Sequence, residues 1–228
     1  MQKYEWLLFD ADGTLFDYDR AEAFALRKTF QRFNFPFDEN TLAIYRGINR
    51  AAWSALERGE IKPSELSAIR FRQVGDRLNL SIDPETFSPI YLQNLANSSH
   101  LMDGALELIV GLYGKFQLGL ITNGLKAVQR PRLDRSGLRE FISAVIISEE
   151  VGAVKPDRAI FSAAFESMGN PGKDRVLMIG DSLSSDIQGG LDYGIDTCWF
   201  NPGKLPKPDG MNIAFEISHL DQLYELLA

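Results

Sequence analysis

The chain has one cysteine and two histidines, and its 24 Lys+Arg residues fall short of its 31 Asp+Glu. The single thiol, Cys198, excludes an internal disulfide and fits a reducing compartment. Set in Thr197-Cys198-Trp199-Phe200, it reads as a buried strand thiol acting as a small hydrophobe. His100 and His219 stand isolated, and nothing about either suggests a ligand or a base. A net charge of −7 leaves no basic stripe for a nucleic-acid polymer. It would also repel a phosphorylated small molecule, unless a bound cation reverses the local field. No stretch approaches the ~20 apolar residues of a membrane span, and the first apolar run is too short for a signal peptide. These absences predict a cytoplasmic protein with neither a membrane nor a nucleic-acid polymer as partner. Internal repeats and low-complexity tracts are lacking as well.

What is present is an ordinary globular composition, 45% hydrophobic and 24% charged over 228 residues, long enough for one or two domains. Short apolar runs at Trp6–Phe9, Leu118–Ile121, Ala144–Ile147, Val176–Ile179 and Thr197–Phe200 predict parallel strands buried on both faces. Helical patterns such as Ala159–Met168 and Ile187–Tyr193 alternate with them from about residue 103, which predicts a doubly wound sheet. The stretch before that differs. Ala21–Phe33, Glu39–Arg58, Ser64–Leu78 and Pro84–Ala96 are helical in period, with Pro36, Pro63 and Pro84 at boundaries and no buried strand between them. The predicted fold class is therefore α/β: a Rossmann-like parallel sheet core, residues 1–16 and 99–228, with an inserted all-helical cap domain, residues 17–98. The cap would sit over the carboxyl edge of the sheet. Pro131, inside Lys126–Arg135, should either start that helix or kink it.

Four motifs follow the predicted strands. Asp10 and Asp12, in Phe9-Asp10-Ala11-Asp12-Gly13-Thr14-Leu15, emerge where a central strand runs into a loop. Open α/β sheets bind ligands at that edge, and buried carboxylates need a partner or a metal. An EF-hand loop starting at Asp10 would need Gly at its sixth position and Glu at its twelfth, where Leu15 and Ala21 stand, so that reading fails. A catalytic pair, a helix cap and a solvated turn remain. Thr122, in Ile121-Thr122-Asn123-Gly124, could donate to a phosphate oxygen, or Thr122 or Asn123 could cap the next helix. Lys155, before Pro156, is either a directed cation or a solvated charge; Pro156 would fix its loop and could begin a helix. Asp181 and Asp186, in Gly180-Asp181-Ser182-Leu183-Ser184-Ser185-Asp186, could complete an oxygen-ligand magnesium site or cap a helix. If the strands are parallel, all four motifs converge on one sheet edge, and four independent structural explanations become improbable.

Together these motifs resemble the four that define the haloacid dehalogenase superfamily of phosphohydrolases. The stretches Arg132-Leu133-Asp134-Arg135-Ser136-Gly137-Leu138, Ile147-Ser148-Glu149-Glu150-Val151-Gly152 and Asn49-x-x-x-Trp53 followed by Gly59-Glu60-Ile61 are similar to its bacterial pyrimidine 5′-nucleotidase branch. The resemblance implies that Asp10 is the nucleophile of an aspartyl-phosphate intermediate, while Asp12 protonates the leaving oxygen and then activates water. It implies that Thr122 and Lys155 hold the phosphoryl oxygens, with Asn123 beside them. Mg²⁺, with Mn²⁺ as an alternative ion, would be held by Asp10, the carbonyl of Asp12, and Asp181, with Asp186 supporting in the second shell or through water.

The expected activity is a Mg²⁺-dependent phosphomonoesterase acting on nucleoside 5′-monophosphates, pyrimidines preferred. The partner is thus a small phosphorylated metabolite, and the protein a monomer or homodimer. Asp12 speaks against dehalogenation, because dehalogenases lack that acid. A sugar-phosphate or phosphoglycolate phosphatase and a phosphomutase share the same core, and a non-catalytic phosphate-binding regulatory protein shares the fold. Substrate choice should lie in the cap, whose many aromatic residues are mostly core, though some could offer a stacking face for a base. Asn49 and Trp53, four apart on one helix face, are expected to border the substrate, Asn49 offering donor and acceptor to a pyrimidine edge. Phe16 is a further candidate wall.

Overall fold

The computed structural model describes residues 3–227. Six strands form one sheet in the order β3-β2-β1-β4-β5-β6. These are β1 (Trp6–Phe9), β2 (Gln117–Thr122), β3 (Ala144–Ile147), β4 (Val176–Gly180), β5 (Asp196–Phe200) and β6 (Phe215–Ile217), and every neighbouring pair is parallel. The first five are the predicted strands. β6 was not expected, since its three residues carry no apolar run and only Ile217 is buried.

β1 is central, with Phe9 in register with Leu120 of β2 and Ile179 of β4. Alternation sends its side chains to opposite faces. Leu7 and Phe9 join a core with α5 (Ala105–Leu112), and Trp6 and Leu8 join one with Ile160, Phe161, Ala164 and Phe165 of α8 (Arg158–Ser167). Burial on both faces is what makes these strands short, unbroken apolar runs.

Between β1 and α5 run four helices: α1 (Tyr18–Arg32), α2 (Glu39–Glu57), α3 (Pro63–Leu78) and α4 (Pro84–Ala96). Asp17 and Asp38 cap the first two by accepting from Arg20 N and Thr41 N, and Pro63 and Pro84 open the other two. Pro36 lies in the loop before Asp38. Ala25, Leu26, Phe30, Tyr45, Phe71, Phe87 and Tyr91 form a core of their own, to which Val128 of α6 (Lys126–Arg135) adds. The chain leaves and re-enters the sheet side by side: Asp17 N donates to His100 O at 3.0 Å and Met102 N to Leu15 O at 2.9 Å.

Helix α6 begins at Lys126 and passes through Pro131, so that proline does not start it. Pro156 starts no helix either, because α8 opens at Arg158 behind an Asp157 cap. A one-turn α7 (Ser148–Val151) follows β3, a π-helical turn (Leu183–Ile187) precedes α9 (Gln188–Tyr193), and α10 (Leu223–Leu226) closes the chain. No helix among the described residues is long and apolar enough to cross a membrane.

Candidate active site

Because all the strands are parallel, their carboxyl ends share one edge. Asp10 follows β1, Thr122 ends β2 and Asp181 follows β4, while Lys155 arrives in the loop after α7 and Asp186 in the π-helical turn. Lys155 is almost wholly buried. Its ammonium donates to Asp10 Oδ1, to Asp186 Oδ1 at 2.6 Å and to the Ile121 carbonyl at 3.0 Å. Asn123 does not cap a helix. Its amide brackets the backbone of Lys155, accepting from Lys155 N at 2.6 Å and donating to Lys155 O at 2.9 Å. Thr122 caps no helix through its side chain either; its Oγ1 accepts from Gly124 N at 3.1 Å and from Gln129 Nε2 at 3.3 Å. With its oxygen so engaged, the hydroxyl keeps its own proton for an acceptor in the cavity.

Oxygens of Asp10, Asp181 and Asp186 lie within 4.8 Å of one another. Burial, and then the neighbouring Asp186 carboxylate, raise Asp10 well above the ordinary carboxylate range and push Asp181 up to about 7. Burial opposes the charge on Lys155, but Asp10 and Asp186 outweigh it and hold the ammonium above its usual value. Two buried carboxylates, Asp10 and Asp186, thus share one ammonium, with the partly buried Asp181 beside them. The set is all oxygen, which hard divalent cations prefer, and its surplus negative charge suits one, so these residues fit Mg²⁺. Gly13, at φ +90°, lets the first loop approach closely: a Cβ there would stand 2.6 Å from Asp181 Oδ2.

These groups line a cavity of about 210 Å³ together with Asp12, Asn123, and Tyr18, Trp53 and Glu57 from the helical block. Trp53 and Asn123 also line an adjoining cavity of about 320 Å³, walled by Leu56, Ile61, Leu66, Leu125 and Val154. A larger groove of about 790 Å³, between α3, α4 and α6, holds none of the carboxylates named above.

Two expected substrate contacts, one on the cap and one on the core, are corrected. Asn49 does not line the cavity, and its amide is spent internally. Nδ2 donates to Tyr18 Oη at 3.1 Å and Glu22 Oε1 at 2.9 Å, while Oδ1 accepts from buried Arg70 at 2.8 Å. Phe16 is no wall, because it is buried in the core beneath the guanidinium of Arg132. Sequence reasoning missed Gln129 and Arg132, whose side chains meet the two oxygens of Asp12. The available signal was their spacing of three on the helix following Thr122. Tyr18, Glu57 and Ser185 were also missed as lining residues.

Residues 7–200 match the family profile described as haloacid dehalogenase-like hydrolase. Over 99% of its length the chain is 36% identical to the pyrimidine 5′-nucleotidase YjjG of Escherichia coli, covering 98% of that protein. It is 33% identical to the pyrimidine 5′-nucleotidase PynA of Streptococcus pneumoniae, over 98% of this chain and 95% of that one. A crystal structure of the HAD-hydrolase YfnB from Bacillus subtilis, bound to magnesium and described as revealing interdomain movement, has a TM-score of 0.94 at 36% identity, covering 99% of both chains.

Proposed function

The chain belongs to the haloacid dehalogenase-like hydrolases and is a phosphatase of that family, and from this premise we propose that it hydrolyses nucleoside 5′-monophosphates, preferring pyrimidines. The observation that carries the substrate reading is Trp53. Its side chain lines both the cavity holding Asp10 and the adjoining apolar one, so a phosphate in the first would leave the base against an indole. The names of the full-length relatives support the same choice. Residues 17–98 act as the cap and residues 1–16 and 99–228 as the core, in a cytoplasmic enzyme. Cap opening would release product.

An oxygen of Asp10 attacks phosphorus, and the ester P–O bond breaks. Its electron pair goes to the leaving oxygen, which takes a proton from Asp12. Asp12, now a carboxylate, takes a proton from water as the water oxygen attacks the aspartyl-phosphate. The phosphorus–Asp10 bond breaks and inorganic phosphate departs. Thr122 Oγ1 donates to a phosphoryl oxygen, and Lys155 counters the negative charge on the transferring group and the charge that returns to Asp10 when the aspartyl-phosphate breaks. Asp10, the Asp12 carbonyl and Asp181, with Asp186 behind them, would hold Mg²⁺, which would supply the remaining positive charge.

Phosphate release from pyrimidine and purine monophosphates, sugar phosphates and phosphoglycolate, with Mg²⁺ and with chelator, tests the proposal. Chelator-sensitive turnover favouring UMP, dUMP or dTMP is expected. A preference for a sugar phosphate or phosphoglycolate would overturn the nucleotidase reading and keep the core chemistry.

A further inference from the structure

Both halves of the proposed reaction turn on the Asp12 side chain, which lies beside a left-handed glycine and is about a quarter exposed. Its fixation comes from α6. Gln129 Nε2 donates to Asp12 Oδ2 and Arg132 Nη1 to Oδ1. Residues three apart share a helix face, so one helix reaches both oxygens.

Each arm is itself anchored. Arg132 is completely buried; its Nε donates to the Ser98 carbonyl at 3.0 Å, and its guanidinium lies 4.6 Å from the centre of the Phe16 ring. Gln129 is 3% exposed, its Nε2 also reaches Thr122 Oγ1 at 3.3 Å, and its Oε1 accepts from Arg132 Nη1 at 3.4 Å. Gly124 makes the room, since a Cβ there would stand 2.3 Å from Gln129 Nε2. The arrangement carries a cost, because Arg132 Nη2 is buried with no hydrogen-bond partner among the described residues. Such a departure from good packing is expected where function outweighs stability.

We propose that Arg132 and Gln129 are positioning residues for Asp12, each holding one carboxyl oxygen and so fixing the direction in which Asp12 exchanges its proton. A carboxylate offers about four lone-pair sites. With two engaged by α6, two remain for the leaving oxygen and for water. This rests on the reading of Asp12 as acid and base, and the test separates the two claims.

The readout is the dependence of kcat/KM on the leaving group. It reports the steps up to departure of the leaving oxygen and is untouched by slow dephosphorylation. An alkyl phosphate, whichever the wild type turns over best, needs its leaving oxygen protonated; p-nitrophenyl phosphate scarcely does. Gln129→Met and Arg132→Lys should each lower kcat/KM on the alkyl ester about tenfold more than on p-nitrophenyl phosphate, part of the effect of a general acid. A merely structural role would lower both alike, and equal losses, or none, overturn the proposal. Gln129→Met leaves Arg132 in its core setting, so it remains decisive if Arg132→Lys fails to fold. Asp12→Asn is the reference. If it too shows no leaving-group dependence, the acid–base reading falls and the proposal with it; if it shows one that the α6 variants lack, the proposal alone falls.

Discussion

Lys155 and Asp186 meet in a buried ion pair, Nζ to Oδ1 at 2.6 Å, with side chains 2% and 1% exposed. Asp10 shares the same ammonium. Removing one partner of a buried pair leaves an uncompensated charge, at a cost of about 3–5 kcal/mol. Lys155→Met should therefore destabilise the protein by roughly that amount in urea unfolding with chelator present. Saturating Mg²⁺ should recover part of the loss, because a ligand bound only by the folded state stabilises it. A variant as stable as wild type in chelator would mean that the carboxylates do not depend on the ammonium.

Asn49 and Trp53 lie one helical turn apart on α2 yet should respond differently to truncation. Asn49→Ala strips buried Arg70 of an acceptor and Tyr18 of a donor. The expected outcome is a loss of about 1–3 kcal/mol in stability, with nucleotide preference retained. Trp53→Ala is only half-buried and should cost less stability while flattening discrimination between nucleotides and sugar phosphates. Denaturation midpoints together with a two-substrate kcat/KM ratio distinguish the variants. The reverse pattern would return Asn49 to the substrate.

Those two residues also mark how far the sequence could be read. β1 to β5 were legible because burial on both faces leaves an apolar run, whereas β6 is a three-residue edge with one buried side chain. Parallel order alone carries Asp10, Thr122, Lys155 and Asp181 to one edge, so their meeting followed from the strand pattern. What escaped was polar burial. Asn49 has the donors and acceptors of a base-reading amide, but whether substrate or protein uses them is decided by Arg70 and Glu22, distant in sequence. Gln129 and Arg132 belong to a helix so polar that it reads as solvated, and only the fold turns that face onto Asp12.

Cys198 offers a check on the core independent of catalysis. It is wholly buried on β5, and burial pushes its thiol up to about 12. The thiolate is the nucleophile, so at pH 8 the folded protein should not react with a disulfide reagent. In denaturant the thiol returns to about 8.5 and one equivalent should titrate. Stoichiometric reaction of the native protein within minutes would contradict the packing around β5.

Gly13 joins backbone conformation to metal affinity. Its φ of +90° disfavours any L side chain, and a methyl group would stand 2.6 to 2.9 Å from the carboxylate of Asp181. The strain alone costs about 1–3 kcal/mol, which a chain of this size can absorb. The clash cannot be absorbed in place, because it falls on a carboxyl group that Thr14 Oγ1 also contacts, at 3.3 Å. Gly13→Ala should therefore fold, with Asp181 displaced from Asp10. The expected result is a phosphatase at least about tenfold weaker, equivalent to some 1.4 kcal/mol, whose midpoint of thermal unfolding rises less with Mg²⁺ than that of the wild type. Normal activity with a full Mg²⁺-dependent rise would show that Asp181 is not the side chain through which this loop meets the metal.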